Sequence, residues 1–593
     1  MYYDASGRNE LCMLDVETGK MTQVSGGEVP RNARWFIRWD ADGEGVYFHV
    51  DDAGNEQNDI HRLGTDGTHD PVVELSGQTP LADVSDDGEH LLLGSTRGGQ
   101  FNVYRHDVAA AETVQVTEYD RAAGPGQFSP DGSMISYTTN ESDEFNNQDV
   151  YVAGVDGSGA RNLEIGDTGA EASFADWHSD CDRLLVGDNT DDLTRCGVYS
   201  IETDSVEWYG DSEVEESPVA FVDEDRFVAQ RTRRAATVPV VYDLATGESR
   251  ELDLPEGVAS VPAVGEPVLS DGRVILGHST PTRRSELIAY DLDSDEYEML
   301  MAADYGDIDP DVFVDGEYFE FRSDGVPETP ARAVEHDPYG PLDIEGILYD
   351  SGERPSPLIV KIHGGPPAQD QRSFDLYTQF LATKGYSVLQ VNYRGSTGRG
   401  VEFERALYDD WGGAEQGDIA TGVEHTLESR DFLDEDRVAV FGGSYGGYSA
   451  YWQMVQYPDL YDAGIARIGL TDLVEMFETT MPHFRTELME KNLGTPEDNP
   501  DLYELRSPIT HVDNVSAPLC MIHGVNDRRV PISQARRFRD ALLEHGYEEG
   551  SDGDFEYEEL GEEGRSTDQE QELRAFKLMD GVLSRRIPTD SSD

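Results

Sequence analysis

Polar and apolar residues alternate in short runs through the first half of the chain. Gly45-Val46-Tyr47-Phe48-His49-Val50 and Asp149-Val150-Tyr151-Val152-Ala153 are examples, and period-two runs of this length predict β-strands. Between the runs a turn-like cluster recurs: Trp39-Asp40-Ala41-Asp42-Gly43, Val84-Ser85-Asp86-Asp87-Gly88, Phe128-Ser129-Pro130-Asp131-Gly132, Trp177-His178-Ser179-Asp180-Cys181, Phe221-Val222-Asp223-Glu224-Asp225 and Leu269-Ser270-Asp271-Gly272. Their first residues lie 45, 44, 49, 44 and 48 positions apart. Short polar side chains and glycine at such sites favour tight turns.

A repeat of about 40–50 residues holding several short strands is the signature of a β-propeller blade. Six clusters, plus Met1–Ser25 read as a blade without its first strand, predict seven blades over residues 1–315 with the first one incomplete. A two-sheet sandwich competes, but the regular spacing favours radial repetition.

Past Gly316 the pattern changes. Apolar runs at Pro357–Ile362, Ser387–Val391, Arg437–Phe441, Leu519–Ile522 and Phe555–Glu558 read as strands, and amphipathic stretches at Asp418–Ser429, Tyr448–Gln456 and Ser533–His545 read as helices between them. Strand and helix in alternation predict a mostly parallel sheet covered on both faces. The expected division is therefore 1–315 and 316–593.

The chain holds 120 Asp+Glu against 45 Lys+Arg, a formal charge of −75 spread along its length. That excludes a generic nucleic-acid binder, whose affinity rests on cations facing phosphate. Only five of the basic residues are lysine (Lys20, Lys361, Lys384, Lys491, Lys577). The composition resembles that of salt-adapted cytoplasmic proteins, in which molar salt shortens the Debye length to about 3 Å and screens the self-repulsion. A solvated acidic surface with no partner is the plain reading of the excess. Cys12, Cys181, Cys196 and Cys520 form no CxxC pair, so neither a disulfide framework nor a zinc site is expected. Met1-Tyr2-Tyr3-Asp4 leads into no apolar stretch, and no window approaches the 18 or so apolar residues of a span. No signal peptide, membrane span, metal or cofactor is expected, and the oligomeric state, a homo-oligomer included, is left open.

Gly442-Gly443-Ser444-Tyr445-Gly446-Gly447 fits G-x-S-x-G. The bare pattern is weak, but here it follows the strand Arg437–Phe441 and opens the run Tyr448–Gln456, the strand–turn–helix of a nucleophile elbow. Glycine permits the tight turn that lifts the Ser444 hydroxyl clear. His523-Gly524-Val525-Asn526-Asp527-Arg528-Arg529-Val530-Pro531 follows another strand, which puts Asp527 at the same carboxyl edge of the sheet. Asp527 is the candidate for orienting a base; capping the following helix is its bland alternative. His363-Gly364-Gly365-Pro366 follows the first strong strand and supplies a backbone N–H facing the elbow, so Gly365 and Tyr445 are candidate oxyanion donors. His363 reads as shaping its loop more than carrying a proton.

A repeated β-domain followed in order by His363–Pro366, Asn392-Tyr393-Arg394-Gly395-Ser396-Thr397-Gly398, Gly442–Gly447 and His523–Pro531 resembles the prolyl oligopeptidase family of serine peptidases, nearest its acylaminoacyl-peptidase-like branch. The resemblance covers nearly the whole chain. It implies a β-propeller followed by an α/β-hydrolase domain, and cleavage of short peptides or acyl-peptides at a site between the two that restricts entry of folded substrates. It also implies Ser444 as nucleophile, Asp527 as triad acid, and Tyr445 and Gly365 as oxyanion donors.

The base departs from the family. It should come from the loop after the last strand, where the family pattern is close to Glu-Gly-His-Gly, and this chain reads Glu562-Glu563-Gly564-Arg565-Ser566-Thr567-Asp568. The only histidine after Asp527 is His545, at the end of a predicted helix heading for the opposite edge of the sheet. Arginine offers donors and no acceptor, so Arg565 cannot take the role. Loss of the triad histidine costs on the order of 10⁶ in turnover in a comparable enzyme. Two accounts stand. In one, loss of a codon's length in frame turned His-Gly into Arg in a member of an active family. In the other, the chain is a peptide-binding pseudoenzyme. Esterase activity is a third reading, because the same elbow serves ester hydrolysis.

Overall fold

The computed structural model describes all 593 residues except 5, 32, 34, 53, 211–212, 262–266, 326–338, 562–568 and 590–593. It separates into two compact units, one of Met1–Arg233, Thr237–His278 and Ser285–Ala303, the other of Arg234–Ala236, Ser279–Arg284 and Asp304–Asp593. Arg565 and its neighbours lie outside the described residues.

The first unit is a β-propeller whose strands pair antiparallel with their chain neighbours. Among the described residues the first group has three strands, Tyr2–Tyr3, Glu10–Leu14 and Met21–Gln23, and six groups of four follow. The last two groups join into one sheet through a parallel pairing of Thr237 with Val258. This is the expected seven blades with the first one short of a strand. Every recurring cluster turns the chain from the first strand of a blade to the second, as between Leu81–Val84 and His90–Ser95. In the third cluster the Asp131 carboxylate accepts from the Ser133 amide at 3.0 Å and the Ser129 hydroxyl at 2.7 Å, and Gly132 adopts φ 68°. Cys181 holds the same left-handed position at φ 60° in the fourth, and Gly43, Gly88 and Gly272 hold it in the first, second and sixth, where glycine avoids a Cβ clash.

The second strands are buried on both faces, unlike the half-exposed alternation of a lone sheet. Leu91 and Leu93 enter one apolar cluster with Tyr47, Ile60 and Tyr104, while Leu92 enters the next with Val103, Ile135 and Tyr137. Alternate side chains therefore serve alternate interfaces, and the core of this unit lies between consecutive sheets.

The second unit is built on one eight-stranded sheet. Across it run Gly316–Ser323, Leu342–Tyr349, Ser387–Asn392, Ser356–Ile362, Leu433–Gly443, Ala463–Arg467, Leu519–Gly524 and Phe555–Leu560. The first two pairings are antiparallel and the remainder parallel. Leu358, Val360, Val438 and Val440 pack on one face beneath helix Tyr445–Gln456; Ile359, Ala439, Phe441 and Ile465 pack on the other beneath helix Gln569–Arg586. Strands buried on both sides read as continuous apolar runs, as expected for parallel sheets.

Boundaries moved where glycine or polar residues masked regular structure. Helix Ala414–Ser429 starts four residues before the expected Asp418, through Gly417, where a Cβ would be driven into the carbonyl of Gly325. The strand Leu519–Gly524 takes in His523, which sequence reasoning put in the following loop.

Candidate active site

The strand Leu433–Gly443 ends directly at Ser444, and helix Tyr445–Gln456 begins at the next residue. Ser444 sits at φ 59°, ψ −121°, a backbone conformation that an L side chain adopts at a cost of about 1–3 kcal/mol. Close packing on both sides holds it there. The Ser444 amide donates to the Arg467 carbonyl at 2.9 Å, and the Ser444 carbonyl accepts from the Tyr448 amide at 2.9 Å. A Cβ on Gly442 would enter the Gly446 carbonyl, and one on Gly446 would enter the Ile362 carbonyl. The glycines are thus demanded by contact between backbones, and Ser444 remains part-exposed at the tip.

The register Ile362–Gly442 brings the His363-Gly364-Gly365-Pro366 loop level with the elbow. A Cβ built on Gly364 would lie 2.9 Å from the Gly443 carbonyl oxygen, 3.3 Å from the Ser444 Cβ and 3.8 Å from its Oγ. Gly365 takes φ 128° at this same turn. Tyr445 is the first residue of its helix, so its N–H is one of those for which a helix provides no internal acceptor. His363 is engaged at both ring nitrogens, Nδ1 with the Gly364 carbonyl at 2.8 Å and Nε2 with the Ser396 hydroxyl at 2.9 Å, and stacks on Tyr393 at 4.4 Å. Burial pushes its pKa down. It shapes the loop.

Asp527 follows the strand Leu519–Gly524, two strands from the elbow strand. Its Oδ1 accepts from the amides of Arg529 and Val530, both at 2.8 Å. It caps this turn and not the next helix, which starts at Ser533 behind an N-cap of Ile532. Asp527 is 4% exposed, and its Oδ2 has no hydrogen-bond partner among the described residues. His523 is buried within the strand, its Nε2 2.8 Å from the Val530 carbonyl. His545 ends helix Ser533–Glu544 with its Nδ1 on the Ala541 carbonyl at 2.8 Å. The chain then enters Phe555–Leu560 beside Leu519, the amino-terminal edge of the sheet.

Sequence reasoning missed a layer of buried charge under the elbow. The Glu415 carboxyl accepts from the amides of Gly412 at 2.6 Å and Gly413 at 2.9 Å and from the Tyr445 hydroxyl at 3.0 Å. Burial raises its pKa. Beside it Asp410 pairs with Arg506 at 2.7 Å and accepts from the Ala414 amide at 2.9 Å. Burial, partly offset by Arg506, pushes the Asp410 carboxyl up to about 7. Arg394 grips Asp418 through Nε at 2.8 Å and Nη2 at 3.0 Å, which anchors the loop after Ser387–Asn392. The signal available in sequence was weak: Asp409-Asp410-Trp411-Gly412-Gly413-Ala414-Glu415 looks like one more acidic stretch in a chain full of them.

Among the described residues no group of three or more His, Cys, Asp or Glu side chains is placed to hold a metal ion. Nor is any described helix long and apolar enough to cross a membrane.

A serine on a strand–helix elbow, with a glycine loop against it and an acid two strands along the same edge, defines the serine hydrolases of α/β-hydrolase fold. Residues 372–555 match the prolyl oligopeptidase family, peptidase S9, and the same part of the chain is similar to acylamino-acid-releasing enzymes. The chain is 34% identical over 194 residues to dipeptidyl aminopeptidase BIII of Pseudoxanthomonas mexicana, covering 32% of this chain and 28% of that one. It is 35% identical over 217 residues to the acylamino-acid-releasing enzyme of Mus musculus, covering 34% and 29%. An uncharacterized peptidase of Bacillus subtilis matches at 26% over 572 residues, 91% of this chain and 81% of that one. The alignments at higher identity thus span under a third of those relatives' length. In fold, a puromycin-hydrolyzing peptidase of Mycobacterium tuberculosis superposes with a TM-score of 0.78 at 19% identity, covering 98% of this chain and 92% of that one.

Proposed function

We propose that the chain is built as a serine peptidase of prolyl oligopeptidase type acting on short peptides or acyl-peptides, and that turnover is impaired because the triad base is missing. Ser444 is the nucleophile, Asp527 the triad acid, and the amides of Tyr445 and Gly365 the oxyanion donors. The observation that carries this reading is Ser444 at φ 59° with the Gly364 turn against it, an arrangement costly to maintain without a reacting group at its tip. Names of the similar proteins support peptides or N-acylated peptides as substrates. A division into propeller and hydrolase at about residue 315 is part of the same reading, and the acidic, lysine-poor composition supports a salt-rich cytoplasm as its setting.

Without a base the Ser444 hydroxyl is a poor nucleophile. The oxyanion donors and binding alone can leave roughly 10³–10⁴ over water. Labelling with a fluorophosphonate in molar KCl tests the assignment. Slow labelling confined to Ser444, abolished by Ser444→Ala and accelerated when Arg565 is replaced by His-Gly, is expected. Labelling elsewhere, or no gain from the replacement, overturns it.

A second reading, a peptide-binding protein without turnover, is favoured by one observation: Asp527 Oδ2 is buried with no partner among the described residues. Peptide binding that persists while no label enters Ser444 would support it. Turnover of simple esters in preference to peptides would instead make the chain an esterase.

A further inference from the structure

The Asp527 carboxyl is half satisfied in a way its turn does not require. Two amides use Oδ1, while Oδ2 is buried with no donor among the described residues. A buried acceptor left unmade costs about 1–3 kcal/mol. At the same edge, two strands away, stands a part-exposed hydroxyl on a strained backbone.

Strand spacing sets the scale of the gap. Neighbouring strands lie about 4.8 Å apart, so two steps separate the acid and serine strands by about 9.6 Å, and two hydrogen bonds of about 2.8 Å plus about 2.2 Å across an imidazole ring bridge about 8 Å. An imidazole donating at one nitrogen and accepting at the other suits such a pair. No side chain whose nitrogens only donate does.

Of the seven imidazoles in the second unit, five are engaged or remote. His363 is bonded at both nitrogens, His523 is buried within its strand, and His511 Nε2 lies 2.9 Å from the Leu505 carbonyl. His425 packs against both Phe319 and Phe321, and His545 is at the other edge. His336 lies outside the described residues. His483 meets Phe484 edge to face, and the Phe484 ring lies 5.2 Å from the Arg529 guanidinium, which makes His483 the internal rival.

We infer that this site takes its base from outside the chain, as an imidazole seated between Asp527 Oδ2 and Ser444 Oγ. The inference rests on the proposed roles of Ser444 and Asp527. The imidazole comes either free or as the histidine side chain of the bound peptide, which would make the protein selective for histidine-containing peptides. Its N–H donates to Asp527 Oδ2. Its other nitrogen takes the Ser444 hydroxyl proton as Oγ bonds to the substrate carbonyl carbon and the carbonyl π pair moves to oxygen. Collapse of the adduct breaks the C–N bond, and the imidazolium returns that proton to the leaving amine. Water, deprotonated by the same ring, then releases the acyl group and restores the Ser444 hydroxyl.

The test is hydrolysis by the full-length protein in molar KCl of acetyl-peptide nitroanilides, with and without imidazole. A paired set carries histidine or glutamine in turn at each position of the acyl side, which stays bound through both steps. A gain on the order of 10²-fold is expected, the scale of general-base catalysis, rising with the free-base fraction of the imidazole. 1-Methylimidazole, with no N–H for Asp527, is expected to give much less, and Ser444→Ala nothing. Rescue by free imidazole without preference among peptides identifies the free base as the source. Preference for histidine peptides without additive identifies the substrate. Activity toward the glutamine peptides that needs no additive overturns the inference, and its loss in His483→Ala would name the internal base. If imidazole is without effect while replacement of Arg565 by His-Gly restores turnover, the inference falls and the serine-peptidase reading stands. If both fail, both fall.

Discussion

The Tyr445 hydroxyl donates to the Glu415 carboxyl at 3.0 Å, so the residue that follows the candidate nucleophile is tied to the amino end of helix Ala414–Ser429. The same carboxyl accepts the amides of Gly412 and Gly413. One fully buried side chain thus joins the turn before that helix to the turn that presents Ser444.

Removing that acceptor should be expensive. Glu415→Ala leaves two amides and a phenol without it, and destabilisation of about 3 kcal/mol or more is expected on the usual cost of unmade buried hydrogen bonds. Denaturant titration in molar KCl reads it. A loss below about 1 kcal/mol would show that the layer is not a support of the elbow.

Asp410 should make stability depend on pH with a definite sign. Its folded pKa is raised from 3.8 to about 7, so the protonated form is favoured by folding. That contribution is complete below about pH 4 and is lost as pH rises through about 7. Asp410→Asn does not titrate, so relative to wild type it should gain on the order of 2–4 kcal/mol between pH 4.5 and 7.5, at about 1.4 kcal/mol per pKa unit. Equal slopes for the two proteins would refute the assignment.

Two glycines should separate folding from reactivity. Gly446→Ala drives a methyl into the Ile362 carbonyl, backbone against backbone, and about 3 kcal/mol of stability should be lost to overpacking. Gly364→Ala makes a milder contact than that with the Ile362 carbonyl at Gly446, meeting the Gly443 carbonyl at 2.9 Å and the Ser444 Cβ at 3.3 Å. It should keep most of its stability yet slow fluorophosphonate labelling of Ser444 by about tenfold or more through displaced oxyanion donors. Undiminished labelling would place those donors elsewhere.

Salt should stabilise. At −75 the folded chain repels itself, and raising ionic strength from 0.1 to 1 M shortens the Debye length from about 10 to about 3 Å. The thermal midpoint is expected to climb across that range of KCl. A flat or falling midpoint would separate the acidic composition from salt adaptation.

The periodicities determined much of this protein. Turn clusters at 44–49-residue spacing mark where the first strand of a blade gives way to the second, because the need for short polar side chains and left-handed residues there is local. Apolar runs followed by glycine likewise located the elbow and the Gly364 turn, since a backbone that must approach another backbone tolerates no side chain. What remained illegible depends on which distant residues meet. Nothing local distinguishes Glu415 or Asp410 from the 118 other acids; they are buried only because the sheet order brings Arg506, Tyr445 and helix Ala414–Ser429 together. The half-used carboxyl of Asp527 is of the same kind. A sequence can name an acid after a strand, but only the packed turn decides that one of its oxygens is satisfied by two amides while the other has no donor among the described residues.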